Sequence, residues 1–227
     1  MKYILLLLLL PVMVQAQKLP TNQNVFDTIP FIPEHTTERL AVFAKQPITQ
    51  GGIIFLGNSI TEAGNWAKLL NDTTVLNRGI GGDITYGVLR RLDDIINRHP
   101  KKLFILLGIN DIGKDIPDSV IAYNYGKIIT RMHAGSPSTK IYVQSILPLD
   151  PTHKNFPQHY NKAAHIPVVN QMLQANAKAL NYTYINIAPL FTDARGLLKP
   201  EYTWEGLHLR PEAYVVWVDY LKKLKYL

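Results

Sequence analysis

The 227-residue chain has no cysteine. No disulfide can brace it, so the fold must be held by core packing alone even in an oxidising compartment. A lipid anchor carried on cysteine is excluded as well. No run of Lys and Arg and no basic stripe interleaved with aromatics occurs, which argues against nucleic acid as a partner. No His-x-x-x-His pair has metal-ligand spacing, and Asp93-Asp94 falls on a helical pattern as a solvated face. No Gly-x-x-x-x-Gly-Lys loop is present to cradle a phosphate. There is no internal repeat and no low-complexity linker after the first residues. The expectation is an enzyme with no metal and no cofactor.

The one long apolar run is at the start. Lys2 is followed by the unbroken apolar stretch Ile4–Leu10, and Val14-Gln15-Ala16 offers a small-residue cleavage site before Gln17. The run is too short to span a bilayer stably. Residues 1–16 therefore read as a cleavable signal peptide, which implies a periplasmic or secreted protein without a stable membrane anchor. Residues 17–50 read as an N-terminal extension with a short helix at 34–45, and residues 51–227 as one domain, large enough to bury about 70% of its surface. Lys and Arg total 24 against 17 Asp and Glu, a formal charge of +7. This is the balance of a soluble basic protein, or of a surface that draws in acidic substrates such as acidic sugars.

Beyond residue 50 the pattern alternates. Strands are expected at 52–57, 74–77, 103–107, 140–146 and 183–187, several apolar on both faces. Helices are expected at 60–70, 85–98, 119–132 and 166–180, with a last one opening at Pro211. Strands buried on both faces and alternating with amphipathic helices imply a parallel sheet sandwiched between helices, with ligands at the carboxyl ends of the strands. Ser59 follows the first strand, Gly82 the second and Asn110 the third, so all three converge on one edge.

A serine hydroxyl needs a base to take its proton. His208 lies in a glycine-containing loop before the last helix, and Glu205 three residues earlier could fix its tautomer and stabilise the imidazolium. His35, His99, His133, His153, His159 and His165 have no glycine-flanked carboxylate so placed. An oxyanion would find donors in the backbone N–H groups of Ser59 and Gly82 and in the Asn110 amide. Losing one such donor typically costs on the order of 3 kcal/mol of barrier. Gly82 suits a close backbone approach; Asn110 reads either as a helix cap or as a site residue. Asp83 and Asp111 read as supporting or capping groups rather than proton carriers. Together these residues point to ester hydrolysis.

Four segments carry this reading: Gly57-Asn58-Ser59, Gly79-Ile80-Gly81-Gly82-Asp83, Gly108-Ile109-Asn110-Asp111 and Glu205-Gly206-Leu207-His208. In order and content they resemble the four blocks of the SGNH (GDSL-type) hydrolases. The stretch from Asn77 to Thr85 is most similar to the branch holding platelet-activating-factor acetylhydrolase alpha subunits and bacterial sialate and sugar O-acetylesterases. The resemblance implies a three-layer α/β/α flavodoxin-like sandwich with a five-stranded parallel sheet. It also implies Ser59 as nucleophile, Gly82 and Asn110 in the oxyanion hole and His208 as base. Asn58 stands where the family has Asp beside the serine, and Glu205 where it has Asp before the histidine. Glu205 could orient His208 from a shifted backbone; a dyad helped by a backbone carbonyl is the alternative.

The resulting expectation is an exported short-acyl esterase acting on a small-molecule or glycan ester, such as an O-acetylated sugar. The segment Pro148–His165, mixed polar and aromatic, suits a sugar or short acyl group better than the apolar groove a lysophospholipase or acyl-thioesterase needs. From a different class, a weakly active relative that binds glycans or a protein partner is motivated by Glu205. If the leader is processed as read, N-terminal sequencing of protein recovered from a periplasmic or medium fraction begins at Gln17; an intact Met1 there would overturn the cleavage reading, and absence of the protein from both fractions would overturn the export reading.

Overall fold

A computed structural model describes residues 34–227. The leader and most of the N-terminal extension expected from the sequence lie outside the described residues. Five strands form one all-parallel sheet: β1 (Ile53–Gly57), β2 (Leu76–Gly79), β3 (Lys102–Leu106), β4 (Lys140–Gln144) and β5 (Thr183–Ile185), in the order β2-β1-β3-β4-β5. The helices are α1 (His35–Ala44), α2 (Ser59–Glu62), α3 (Trp66–Leu70), α4 (Thr85–Ile96), α5 (Ile109–Gly113), α6 (Asp118–Gly135), α7 (Pro157–Tyr160), α8 (His165–Asn176), α9 (Ala188–Phe191) and α10 (Pro211–Lys223). This is the three-layer, flavodoxin-like arrangement expected from the sequence.

The order of the strands follows from burial on both faces. One face of the sheet is a ladder of aromatics in register: Phe55 is opposite Phe104, and Phe104 is opposite Tyr142. Their rings stack at 4.9 and 4.7 Å, and Trp66 of α3 extends the stack onto Phe55 at 3.9 Å. Trp217 and Tyr214 of α10 meet Trp66 edge-on and seal this layer. Offset and edge-to-face pairs of this kind add about 0.5–1.5 kcal/mol each beyond the area they bury. On the opposite face α4 packs against α6 and α6 against α8, burying Val88, Leu92 and Ile95 with Ile121, Ile128 and Val169.

Four expected elements end two to four residues early, at Ile96, Gln144, Asn176 and Ile185, and two others differ more. The helix expected at 60–70 is broken into α2 and α3. Gly64 has no room for a Cβ against the Trp66 ring, and Asn65 starts a new helix by accepting the Lys68 N–H at 3.3 Å. The second strand runs two residues later than expected. Thr74 is held instead in a turn by Asp72, whose carboxylate accepts its N–H at 2.9 Å and its hydroxyl at 2.7 Å. That shift makes Gly79 the last residue of β2, paired with Gly57 of β1.

Because β2 and β3 lie on opposite sides of β1, the chain leaves β1 in one direction and returns in the other. A crevice opens at the carboxyl end of β1 and β3, where such sheets bind ligands.

Candidate active site

Ser59 opens α2 two residues after β1. Asn58 before it caps that helix, its side-chain oxygen accepting the Ile60 N–H at 3.1 Å. The turn is tight: a Cβ on Gly57 would fall on the Thr61 hydroxyl and the Leu106 carbonyl. From the far end of the chain, His208 Nε2 comes to 2.9 Å from Ser59 Oγ. Glu205 Oε1 lies 2.5 Å from His208 Nδ1 and also accepts the His208 backbone N–H at 2.9 Å. Serine, imidazole and carboxylate thus form one continuous chain. With Nδ1–H directed to the carboxylate, Nε2 is left as the acceptor for the serine proton.

The loop that carries Glu205 and His208 is closed by a bridge between Thr203 and Leu209. Thr203 Oγ1 donates to the His208 carbonyl at 2.7 Å and accepts the Gly206 N–H at 2.8 Å. Gly206 has φ +85°, and a Cβ there would strike the Asp150 carbonyl, so only glycine fits. The Tyr160 hydroxyl donates to the Glu205 carbonyl at 2.5 Å, tying the loop to α7.

Gly82 and Asn110 border the same cavity of about 300 Å³ as Ser59 and His208. Asn110 is not a helix cap. It sits inside α5, whose N-terminal cap is Gly108 at φ +114°. Its Nδ2 donates to the Asp83 carbonyl at 3.0 Å, which leaves its second N–H available to the cavity. The cavity is completed by Gly113, Lys114, Phe156, Gln158, His159 and Leu207. His159, which has no glycine-flanked carboxylate three residues before it, is brought to the cavity by the fold. A larger groove of about 770 Å³ lies between α6 and α8, lined by residues such as Tyr123, Lys127 and Met172.

Asp83 and Asp111 support the turns from beneath. Asp83 accepts the Ile84 N–H at 3.0 Å and pairs with the buried Arg91 at 2.9 Å; the guanidinium opposes the burial that pushes this carboxyl up. Arg91 also donates to the Gly57 carbonyl at 3.2 Å, joining the Ser59 turn to the Gly82 turn. Asp111 accepts the Thr85 N–H at 3.0 Å and its hydroxyl at 2.5 Å, so it caps α4 from a neighbouring element. Full burial raises its pKa to about 6, the Thr85 hydrogen bonds notwithstanding. On the outer side, Glu62 accepts the Gly81 N–H at 2.6 Å and is held in turn by His35 at 2.7 Å and Arg39 at 3.2 Å. The helix α1 therefore braces the glycine turn.

Residues 55–216 match the GDSL-like lipase/acylhydrolase family. The chain belongs to this family. It is a GDSL-type carboxylic-ester hydrolase. Among relatives, an arylesterase from Vibrio mimicus is 26% identical over 178 residues, 78% of each chain. The platelet-activating factor acetylhydrolase IB subunit alpha2 of Gallus gallus is 27% identical over 169 residues, 71% of this chain and 70% of that one. A solved structure from Streptococcus pneumonia, provisionally assigned as a platelet activating factor, is 30% identical with a TM-score of 0.74 and covers 84% of this chain and 92% of its own. Within the GDSL pattern, Asn58 departs from the usual Asp and caps α2; its Nδ2 has no hydrogen-bond partner among the described residues.

The raised pKa of Asp111 makes a stability prediction. Between an unfolded-state value of 3.8 and a folded-state value of about 6, the folded chain keeps a proton that the unfolded chain has lost. This group therefore costs stability as pH rises through that window. Asp111→Asn keeps an acceptor for Thr85 and does not titrate. The melting temperature of the variant relative to the native protein should rise between pH 4 and pH 6.5; a pH-independent difference would refute it.

Proposed function

We propose that the protein is an exported, serine-dependent esterase for short acyl groups, acetyl foremost, on an O-acetylated carbohydrate. The observation that carries this reading is the small cavity of about 300 Å³ around Ser59. It is the size of the smallest ligand pockets, and Phe156 and Leu207 wall it where a long acyl chain would need an open groove.

In the proposed reaction His208 Nε2 takes the Ser59 proton as Oγ attacks the ester carbonyl. The tetrahedral oxyanion is held by the Ser59 and Gly82 N–H groups and the free N–H of Asn110. Glu205 stabilises the imidazolium, which then protonates the departing alcohol. Water repeats the sequence on the acyl-enzyme and releases the acid.

Three further features support the carbohydrate half of the reading. Trp204, adjacent to Glu205, is 62% exposed, with the Arg210 guanidinium 4.3 Å over its ring; a sugar could stack on such a surface. Gln158 gives the cavity a polar wall beside the aromatic one. The formal charge of +7 favours approach of acidic glycans. The relatives named as acetylhydrolases support the acetyl half. Among the described residues no helix is long and apolar enough to cross a membrane. The reading of a weakly active binding protein rested on Glu205, and the 2.5 Å contact of its carboxylate with His208 weighs against it.

Hydrolysis of 4-nitrophenyl acetate, butyrate and octanoate is the test. Turnover should fall steeply with chain length and drop by about a thousandfold or more in Ser59→Ala. Preference for octanoate, or an unchanged rate in the variant, would overturn the proposal. Glu205→Gln should lower kcat by about 10²–10⁴-fold, as loss of the orienting carboxylate does in other triads; an unchanged kcat would point to a dyad held by backbone alone.

A further inference from the structure

His159 has no place in the reaction as written, yet it is buried at the floor of the cavity. Its Nε2 lies 3.1 Å from Asn110 Oδ1. The two contacts of the Asn110 amide fix its orientation. The Asp83 carbonyl can only accept, so the amide nitrogen must face it, 3.0 Å away, and the amide oxygen must face His159. That oxygen needs a donor, which places the imidazole proton on Nε2. The other ring nitrogen agrees: His159 Nδ1 is buried without a partner among the described residues. A bare acceptor there costs less than an unpaired buried N–H would.

The chain around His159 is built for this contact. α5 carries Gly113 where the ring lies against it, and a Cβ at that position would come within 2.8 Å of His159 Cδ2 and Nε2. Phe156 presses edge-on against the His159 ring at 6.0 Å and against the His208 ring at 5.4 Å. Lys162 pins the same segment to α5, donating to the Gly113 carbonyl at 3.0 Å and pairing with Asp115 at 2.7 Å. Burial, together with the nearby positive charges of Lys114 and Lys162, holds the ring neutral, its pKa lowered to about 4.

We propose that His159 is a positioning residue for the oxyanion hole: as a neutral Nε2–H donor to Asn110 Oδ1, it holds the Asn110 amide so that one N–H of Nδ2 stays on Asp83 and the other points at the developing oxyanion. The donation also polarises the amide and strengthens that N–H as a donor. This rests on the reading of Asn110 as an oxyanion donor given above.

The test compares His159→Phe, which fills the space without a donor, with His159→Gln, whose side-chain N–H can reach the same point. Both variants are checked by thermal melting for retained fold. With 4-nitrophenyl acetate, kcat should fall roughly 10- to 100-fold in His159→Phe, the scale typical for loss of an orienting partner. KM should hold steady, and His159→Gln should recover most of the loss. In an Asn110→Ala background His159→Phe should cost nothing more, because it acts only through Asn110. A kcat within twofold of native in His159→Phe, no recovery in His159→Gln, or losses that multiply in the double variant would each overturn the proposal. Imidazole ¹⁵N spectra decide the hydrogen bond even if no ester is turned over. They should report a neutral Nε2–H ring from pH 5 to 8, and an Nδ1–H or charged ring would refute it.

Discussion

The parallel pairing of β1 with β3 is the constraint on which the site depends. Gly57 and Leu106 are opposite each other at the last rung. Ser59 follows two residues beyond one strand and Asn110 four beyond the other, so register alone brings a hydroxyl and an amide to the same crevice. The pairing is held at its centre by the Phe55–Phe104 stack and at its end by the absence of a side chain on Gly57. A slip of one residue in a parallel ladder exchanges the two faces of a strand. Here it would put Phe55 out of the aromatic ladder and turn the serine away together. Packing energy and site geometry are therefore specified by the same contacts.

Onto this fixed edge the C-terminal loop delivers His208, the base of the proposed reaction. Its carboxylate is a glutamate where GDSL-type sequences usually have an aspartate, and the loop accommodates the extra methylene. Glu205 Oε1 folds back to accept the backbone N–H of His208 as well as the ring N–H. The longer side chain is thus restrained at both ends and loses little reach. The left-handed turn at Gly206, anchored where its carbonyl accepts the Asp150 N–H at 2.9 Å, supplies the curvature that brings the carboxylate within range. Both N–H donors converge on the same oxygen, which fixes the carboxylate against the His208 ring.

Much of this was legible in the sequence because it is local or periodic. Apolar runs on both faces marked the strands, and the glycine-flanked serine, asparagine and histidine marked their carboxyl ends. What escaped has identifiable causes. The break between α2 and α3 depends on the Trp66 ring occupying the space beside Gly64, a tertiary contact that an apolar count over 60–70 does not register. The start of β2 depends on whether Asp72 captures Thr74. His159 was hidden more deeply. Its partner is 49 residues away, and its own neighbours, Phe156 and Pro157, look like any loop. The one sequence signal that could have found it is Gly113, which closes α5 and whose missing side chain leaves room for the His159 ring.

Two histidines line one cavity and do different work in the proposed reaction. In the proposed reaction His208 passes through the charged imidazolium form, with the Glu205 carboxylate against its other ring nitrogen. His159 lies where burial and neighbouring positive charge disfavour that form. Each time His208 becomes an imidazolium it makes a second charge nearby still less favourable, so His159 stays a neutral donor at the moment the oxyanion forms. The short helix α7 serves both sides of this arrangement. It carries His159 toward Asn110 and, one residue later, Tyr160 toward the Glu205 carbonyl. A displacement of α7 would therefore loosen the oxyanion hole and the acid loop together, coupling two arms that are otherwise separated by most of the chain.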